Sequence, residues 1–353
     1  MNDSERVEAR PRRSMFRVSL RTWLILVPVI AVVVAWQSRH AILTPKNVAS
    51  LSVVTTLDDD IWEIAWSPDR DRVALLGWEK PAEIHDALSL NTIETIGARQ
   101  KLIHFAFSPE DGVVAYCKNG KTAEILDRRT GRSIRLDAGN NQPQMVFSPD
   151  GTTLATGGYG TKVRLWRVSD GELLREFDAG PVTGGLTPVF SPDGATLAVG
   201  NRNSTTTLFE VATSRRRATL EKEYSQGLQF SPDGRSLAVA YVDGSLALWN
   251  TADGRLLRER KTSAEELYSV DWSPDGRLLA SAGLKGKITL WDPTELTVLR
   301  EIDGPEWVIG LEFSPDGRSL ITAGGSQLQA AGKRSLKVWG IEGSLYTLAN
   351  RRR

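Results

Sequence analysis

The sequence predicts an all-β domain, a ring of seven four-stranded units, preceded by one membrane-spanning helix. Three observations predict it. A tight-turn motif, Ser-Pro-Asp or a near copy, starts at Ser67, Ser108, Ser148, Ser191, Ser231, Ser273 and Ser314, at intervals of 40 to 43 residues. Each copy sits in the same apolar frame. Ahead of the first copy lies one uncharged apolar stretch, residues 22–38.

The frame is regular. The residue before each Ser is aromatic: Trp66, Phe107, Phe147, Phe190, Phe230, Trp272 and Phe313. Six positions after each Ser stands Val73, Val114, Leu154, Leu197, Leu237, Leu279 or Leu320. Eighteen positions after it comes His85, Leu126, Trp166, Phe209, Trp249 or Trp291; in the seventh copy Trp339 follows at 25, an excess of seven residues. Pro presets φ in a tight turn, Asp bonds back to nearby backbone and Gly supplies positive φ, so the motif joins two antiparallel strands. Lys162–Trp166 and Lys287–Trp291 alternate polar and apolar residues, as half-buried strands do. Hairpin signals such as Ser169-Asp170-Gly171 and Ala252-Asp253-Gly254 then lead into a fourth strand.

One such unit cannot cover both its apolar faces. Seven arranged radially can, leaving only short protected edges. With Trp291-Asp292 as the literal dipeptide, the units resemble WD40 repeats, and residues 47–353 resemble a seven-bladed WD40-type β-propeller with degenerate copies. The family's Gly-His pair is missing, and only Asp243 occupies its usual turn-aspartate position. The expectation is that the family's buried Asp-His-Ser/Thr-Trp network is mostly absent. Ala49–Leu57 and Leu345–Asn350 compete to supply the last outer strand. The resemblance favours the N-terminal one.

The stretch 22–38 is bracketed by Arg21 and Arg39 and carries Trp23 and Trp36 at its ends. Its length meets the lower limit for crossing a bilayer, about 17 residues, and terminal Trp rings favour the headgroup level. Arg6, Arg10, Arg12, Arg13, Arg17 and Arg21 precede it; only Arg39 and Lys46 follow before residue 50. This bias places residues 1–21 in the cytoplasm, 39–46 as a linker and the propeller outside the cell membrane. The alternative is a cleaved signal peptide ending near Val33-Val34-Ala35. Ser-Leu-Arg-Thr ahead of the apolar run also resembles membrane-anchored bacterial proteins.

The chemistry is sparse. One cysteine, Cys117, excludes an intramolecular disulfide framework, and a total of three histidines argues against His-rich metal chemistry. No nucleophile elbow, Walker loop or zinc-protease motif is present, so no catalytic residue, cofactor or metal is expected. The seven Ser residues read as turn chemistry. Formal charge is +1. On the face carrying the second-to-third-strand turns, nine bases, from Lys80 to Arg334, are offset by acids of the strand-four-to-one connections, so nucleic acid is not an expected partner.

One irregularity points to a binding site. The long turn Gly324–Ser335, holding Lys333 and Arg334, faces the first unit's turn with Trp78 across the closing seam. Trp62 and Trp307 lie in the connections entering these two units. These five residues are the candidate contacts for an unidentified protein partner, since Trp is enriched at interface hot spots. The expected function is a membrane-anchored, non-enzymatic scaffold. The alternative is an enzyme or small-ligand binder using the central channel, which would need inward-facing carboxylates or histidines.

Overall fold

The computed structural model describes residues 42–341, apart from 58–60, 69–70, 78–80, 87–90, 98–101, 111, 119, 121, 140–142, 180–184, 202–203 and 326–333. Seven antiparallel sheets form seven blades. Blade 1 runs Ile61–Trp66, Arg72–Gly77, Ala82–Asp86 and Thr92–Ile96 from the inside outwards. Inner strands of neighbouring blades touch, including Ile61–Trp66 against Trp307–Phe313, so the ring is closed. Blade 4 carries a short fifth strand, Gly158–Tyr159, donated by blade 3.

The last blade is completed from the N-terminal side. Leu51–Leu57 pairs with Arg334–Ile341 as the outer strand of blade 7. This meets the expectation for Ala49–Leu57; the competing 345–350 segment lies outside the described residues. Residues 42–46, expected as linker, are docked instead. The Leu43 N–H donates to Gly317 O at 2.8 Å, and Leu43, Val48 and Leu51 join the apolar cluster between blades 6 and 7. Arg300 on the outer strand of blade 6 holds Val48 O at 2.8 Å and Ala49 O. Leu43 is fully buried, which is reason enough for the docking.

Seven apolar clusters fill the seven gaps between adjacent blades. Strand alternation divides the repeat landmarks between two gaps. In blade 7, Trp339 packs towards blade 6 and its neighbour Val338 towards blade 1. The Ser-Pro-Asp turns follow one plan. In blade 6, Ser273 Oγ donates to Asp275 Oδ1 at 2.7 Å and accepts the Leu278 N–H at 2.9 Å. Gly276 sits at φ 71°, in the left-handed region that favours glycine. The same serine-aspartate bond recurs at Ser148, Ser191, Ser231 and Ser314.

The buried polar network is more complete than expected. Nε1 of Trp166, Trp291 and Trp339 donates to Thr156, Ser281 and Thr322 at 2.9, 2.9 and 3.0 Å. The hydroxyl-tryptophan half of the family network is therefore formed in three blades. These hydroxyls stand on the second strand beside the Trp, a neighbour relation that only the strand register supplies. In blade 5 the equivalent position is Val239, which offers Trp249 Nε1 no acceptor. Cys117 is fully buried, as expected of a small hydrophobe.

Among the described residues, no helix is long and apolar enough to cross a membrane. The stretch 22–38 lies outside them.

Candidate functional site: the closing seam and the central channel

At the seam, the inner strands of blades 7 and 1 lie side by side. Trp307 is the first residue of Trp307–Phe313, where it pairs with Gly325 and bridges back to Leu284 of blade 6. Trp62 is the extra residue of a bulge between Ile61 and Glu63. The alternating pattern puts both in connections; both are instead within strands, because the inner strands begin earlier than that pattern suggests. A bulge recurs five residues before the Ser in blades 2, 5, 6 and 7, at Ile103, Gln226, Tyr268 and Ile309. Bulges re-aim side chains at barrel and ring rims, and they interrupt the strict alternation by which strands are recognised. Arg334 opens the third strand of blade 7 opposite Gly325. Trp78 and Lys333 lie outside the described residues.

The connection face carries both strand-two-to-three turns and the connections. Many of its bases are paired as the charge balance implied. Lys162 meets Glu176 at 2.7 Å, Lys287 meets Asp303 at 2.5 Å, and Lys285 meets Glu265. Lys222 is shared between Asp243 and Glu259. Among the described residues, two large aromatic rings are exposed on this face, Tyr159 at 48% and Tyr224 at 50%. Tyr224 also holds φ at 64°, unusual for a bulky side chain. Its N–H donates to Ser204 O, and its O accepts the Val242 N–H, so it is pinned between the turns of blades 4 and 5.

The channel holds groups that no motif search of the sequence finds. A cavity of about 760 Å³ runs down the axis, lined by the inner strands of six blades and by Gln144, just ahead of the inner strand of blade 3. Two tiers of side chains face it, because alternate residues of a strand share a face. Four residues before the Ser, nearer the connection face, stand Glu63, His104, Gln144, Thr187 and Ser269. Two residues before the Ser, nearer the turn face, stand Ala65, Ala106, Gln229, Asp271 and Glu312.

These groups form a belt around the ring. Gln229 Nε2 donates to Asp271 Oδ1 at 3.1 Å. Asp271 also accepts the Phe313 N–H of blade 7 at 2.7 Å. In the same manner Glu63 accepts the Phe105 N–H of blade 2 at 3.2 Å. His104 Nδ1 lies 3.4 Å from Glu63 Oε1, and Gln144 bonds the same ring. Glu63 and His104 keep 19% and 16% of their side-chain surface open, and that surface faces the lumen and not the outer surface of the ring. Burial therefore pushes Glu63 up to about 8 and Asp271 up to about 6, each against the pull of its backbone donor. Burial pushes His104 down to about 4, so its ring is neutral. Burial, then the charges of Asp271 and Glu63, hold Glu312 well above the usual carboxylate range. Among the described residues no three His, Cys, Asp or Glu stand close enough to hold a metal ion.

The sequence does contain a signal for this belt. Glu63, His104, Gln144 and Thr187 share one offset from the turn Ser, and Gln229, Asp271 and Glu312 share another. Polar residues counted at fixed offsets on the innermost strand reveal them, whereas a search for His clusters does not.

Family models match three segments. The WD domain G-beta repeat model matches residues 143–167, the first three strands of blade 3. The anaphase-promoting complex subunit 4 WD40 domain model matches 220–272, and the eukaryotic translation initiation factor eIF2A model matches 260–353. Each covers a minority of the chain, and together with the seven blades they support a WD40-type propeller. No curated protein matches the chain.

Proposed function

We propose that this propeller is a protein-interaction scaffold, non-enzymatic, tethered to the cell membrane through residues 22–38 and displayed outside the cytoplasm. WD40-type propellers commonly serve as interaction platforms, which supports the first part of the reading. The arginine bias around 22–38 and the Ser-Leu-Arg-Thr segment of bacterial-type anchors support the second.

The observation that carries the reading is the docking of Leu43 onto Gly317. Gly317 belongs to a Ser-Pro-Asp turn, so the chain joins the ring on the turn face. From residue 38 to Ile42 the chain reaches about 14 Å when fully extended. A membrane tether that short keeps the turn face near the bilayer. It leaves the connection face, with Tyr159, Tyr224 and the seam, pointing outward for partners. Exposed aromatic rings on a rigid frame are the usual anchors of such contacts.

The test is accessibility in intact cells. Cysteines introduced as Asp243→Cys, on the outward face, and Asp233→Cys, on the turn face, are challenged with a bulky impermeant maleimide; native Cys117 is buried. Asp243→Cys is expected to label rapidly and Asp233→Cys slowly. Labelling only after lysis would place the propeller in the cytoplasm. Equal, rapid labelling of both would remove the proposed orientation. The scaffold part is tested by a photo-crosslinking residue at Tyr224, which is expected to trap a protein partner that the same residue at Leu256, on the outer rim, does not.

A further inference from the structure

Among the described residues, the ionisable side chains lining the channel are three carboxyls and one histidine. Glu63, Asp271 and Glu312 come from the consecutive blades 1, 6 and 7, and no Lys or Arg is among the described lining residues. His104, the fourth titratable group, is neutral and adds no counter-charge. Glu63 and Asp271 each accept a backbone N–H of the following blade. Glu312 occupies the same offset as Asp271, yet among the described residues it accepts no such bond and stands between two other carboxyls. His104 Nδ1, 3.4 Å from Glu63 Oε1, is buried without a well-aligned hydrogen bond, although Gln144 bonds the same ring. Carboxyls held partly out of water with no counter-charge are costly, and they concentrate where a ligand completes them.

We propose that the channel binds a small alkylammonium ligand with at least two charged nitrogens, one held between Asp271 and Glu312 and the other by Glu63. The two tiers differ by two residues along an extended strand, about 7 Å. A short alkyl chain covers that distance, whereas a single ion cannot touch both tiers. The donor set agrees, since no three candidate ligands converge on one point among the described residues. Ala65 and Ala106 offer the methylenes a small apolar wall, and Gln144 and Ser269 offer further acceptors for N–H groups. The cavity of about 760 Å³ is roomy enough for such a molecule.

The ligand is bound by charge, so its carboxyl partners must ionise. Asp271, Glu312 and Glu63 face one another and His104, with no cation among the described lining residues. Each carboxyl that ionises on binding releases its proton to solvent. Affinity therefore rises with pH up to and beyond about 8, the value reached by Glu63.

Calorimetric titration of the detergent-solubilised full chain with spermidine tests the proposal. We expect saturable binding that tightens between about pH 6 and about pH 8.5, with proton release visible as a dependence on buffer ionisation heat. Glu312→Gln is expected to weaken it about tenfold, the scale of a lost charge-assisted bond. Asp271→Asn is expected to do the same and serves if Glu312→Gln fails to fold. Asp243→Asn, on the outer surface beside Lys222, is expected to leave binding unchanged. Spermidine is also expected to raise the melting temperature of the wild type more than that of Glu312→Gln at the same concentration. Binding that is absent, indifferent to pH or undiminished in both channel variants overturns the proposal. So does displacement by equimolar Mg²⁺, which would make the site a metal site.

Discussion

The seven Ser-Pro-Asp turns and the channel they surround hold carboxylates in opposite states. In the turns, Asp150, Asp193 and Asp233 sit below the ordinary carboxylate range, first because a serine hydroxyl donates to each. In the channel, Glu63, Asp271 and Glu312 sit above it, first because of burial. Asp271 receives two donors, from Phe313 and Gln229, and is still raised. The difference is enclosure. A turn aspartate faces bulk water on one side, so its donors decide its state. A channel carboxylate faces a narrow lumen walled by the inner strands, and two donors do not offset the lost hydration.

The comparison predicts opposite pH responses, and the largest effect lies in the channel. Below about pH 4.5 a channel glutamate is neutral in both folded and unfolded chains and costs nothing. As pH rises towards about 8, the unfolded chain ionises first, so folding stability falls across that window. The double variant Glu63→Gln, Glu312→Gln removes this penalty. It is expected to gain on the order of 2–4 kcal/mol over the wild type near pH 8.5, and nothing near pH 4. Denaturant midpoints at the two pH values measure it. A constant difference would mean that packing, not ionisation, separates the two regions.

The next effect is in the turns. Ser273→Ala removes the bond to Asp275 and strands the buried Leu278 N–H, at an expected cost of about 2 kcal/mol. Its size is expected to stay the same at the two pH values used for the channel variant, because what is lost is a hydroxyl and the bond it gives a backbone N–H. A cost that tracks the channel's pH window would erase the distinction.

Asp233→Asn is expected to cost less, because the side chain is exposed. A depressed carboxyl stabilises above its unfolded value of about 3.8 and stops doing so as pH falls through its folded value. The thermal melts of wild type and variant should therefore differ at neutral pH and converge at about pH 2. Smallest of all is Trp78→Ala, expected to shift stability within about 0.5 kcal/mol, since its sequence neighbours Gly77 and Glu79-Lys80-Pro81 read as a turn and not as an alternating strand. Partner capture with the same variant measures the seam: loss of capture supports a contact there, and unchanged capture removes Trp78 from it.

The turns are legible in the amino-acid sequence because their information is local. Ser273, Pro274, Asp275 and Gly276 specify one conformation within four consecutive residues, and the copies repeat it. The interblade cores are legible for a related reason: Trp339 and Val338 alternate, so they have to face different neighbours. The hydroxyl partners of Trp166, Trp291 and Trp339 are not legible, since they lie on another strand whose register the motif does not state. Trp62 falls outside its strand in the alternating pattern because a bulge breaks the alternation there.

The number of blades and the form of their turns follow from the sequence alone, because each is a pattern repeated at short range, whereas the closing strand, one of two candidates there, is settled by the pairing of Leu51–Leu57 with Arg334–Ile341. Only the tertiary structure decided that Leu43 seats under Gly317, and that Glu63, Asp271 and Glu312 meet around one lumen. Residues 63 and 312 stand at opposite ends of the propeller sequence. Closing the ring makes them neighbours, and the enclosure that shifts their protons exists only once the last blade has met the first.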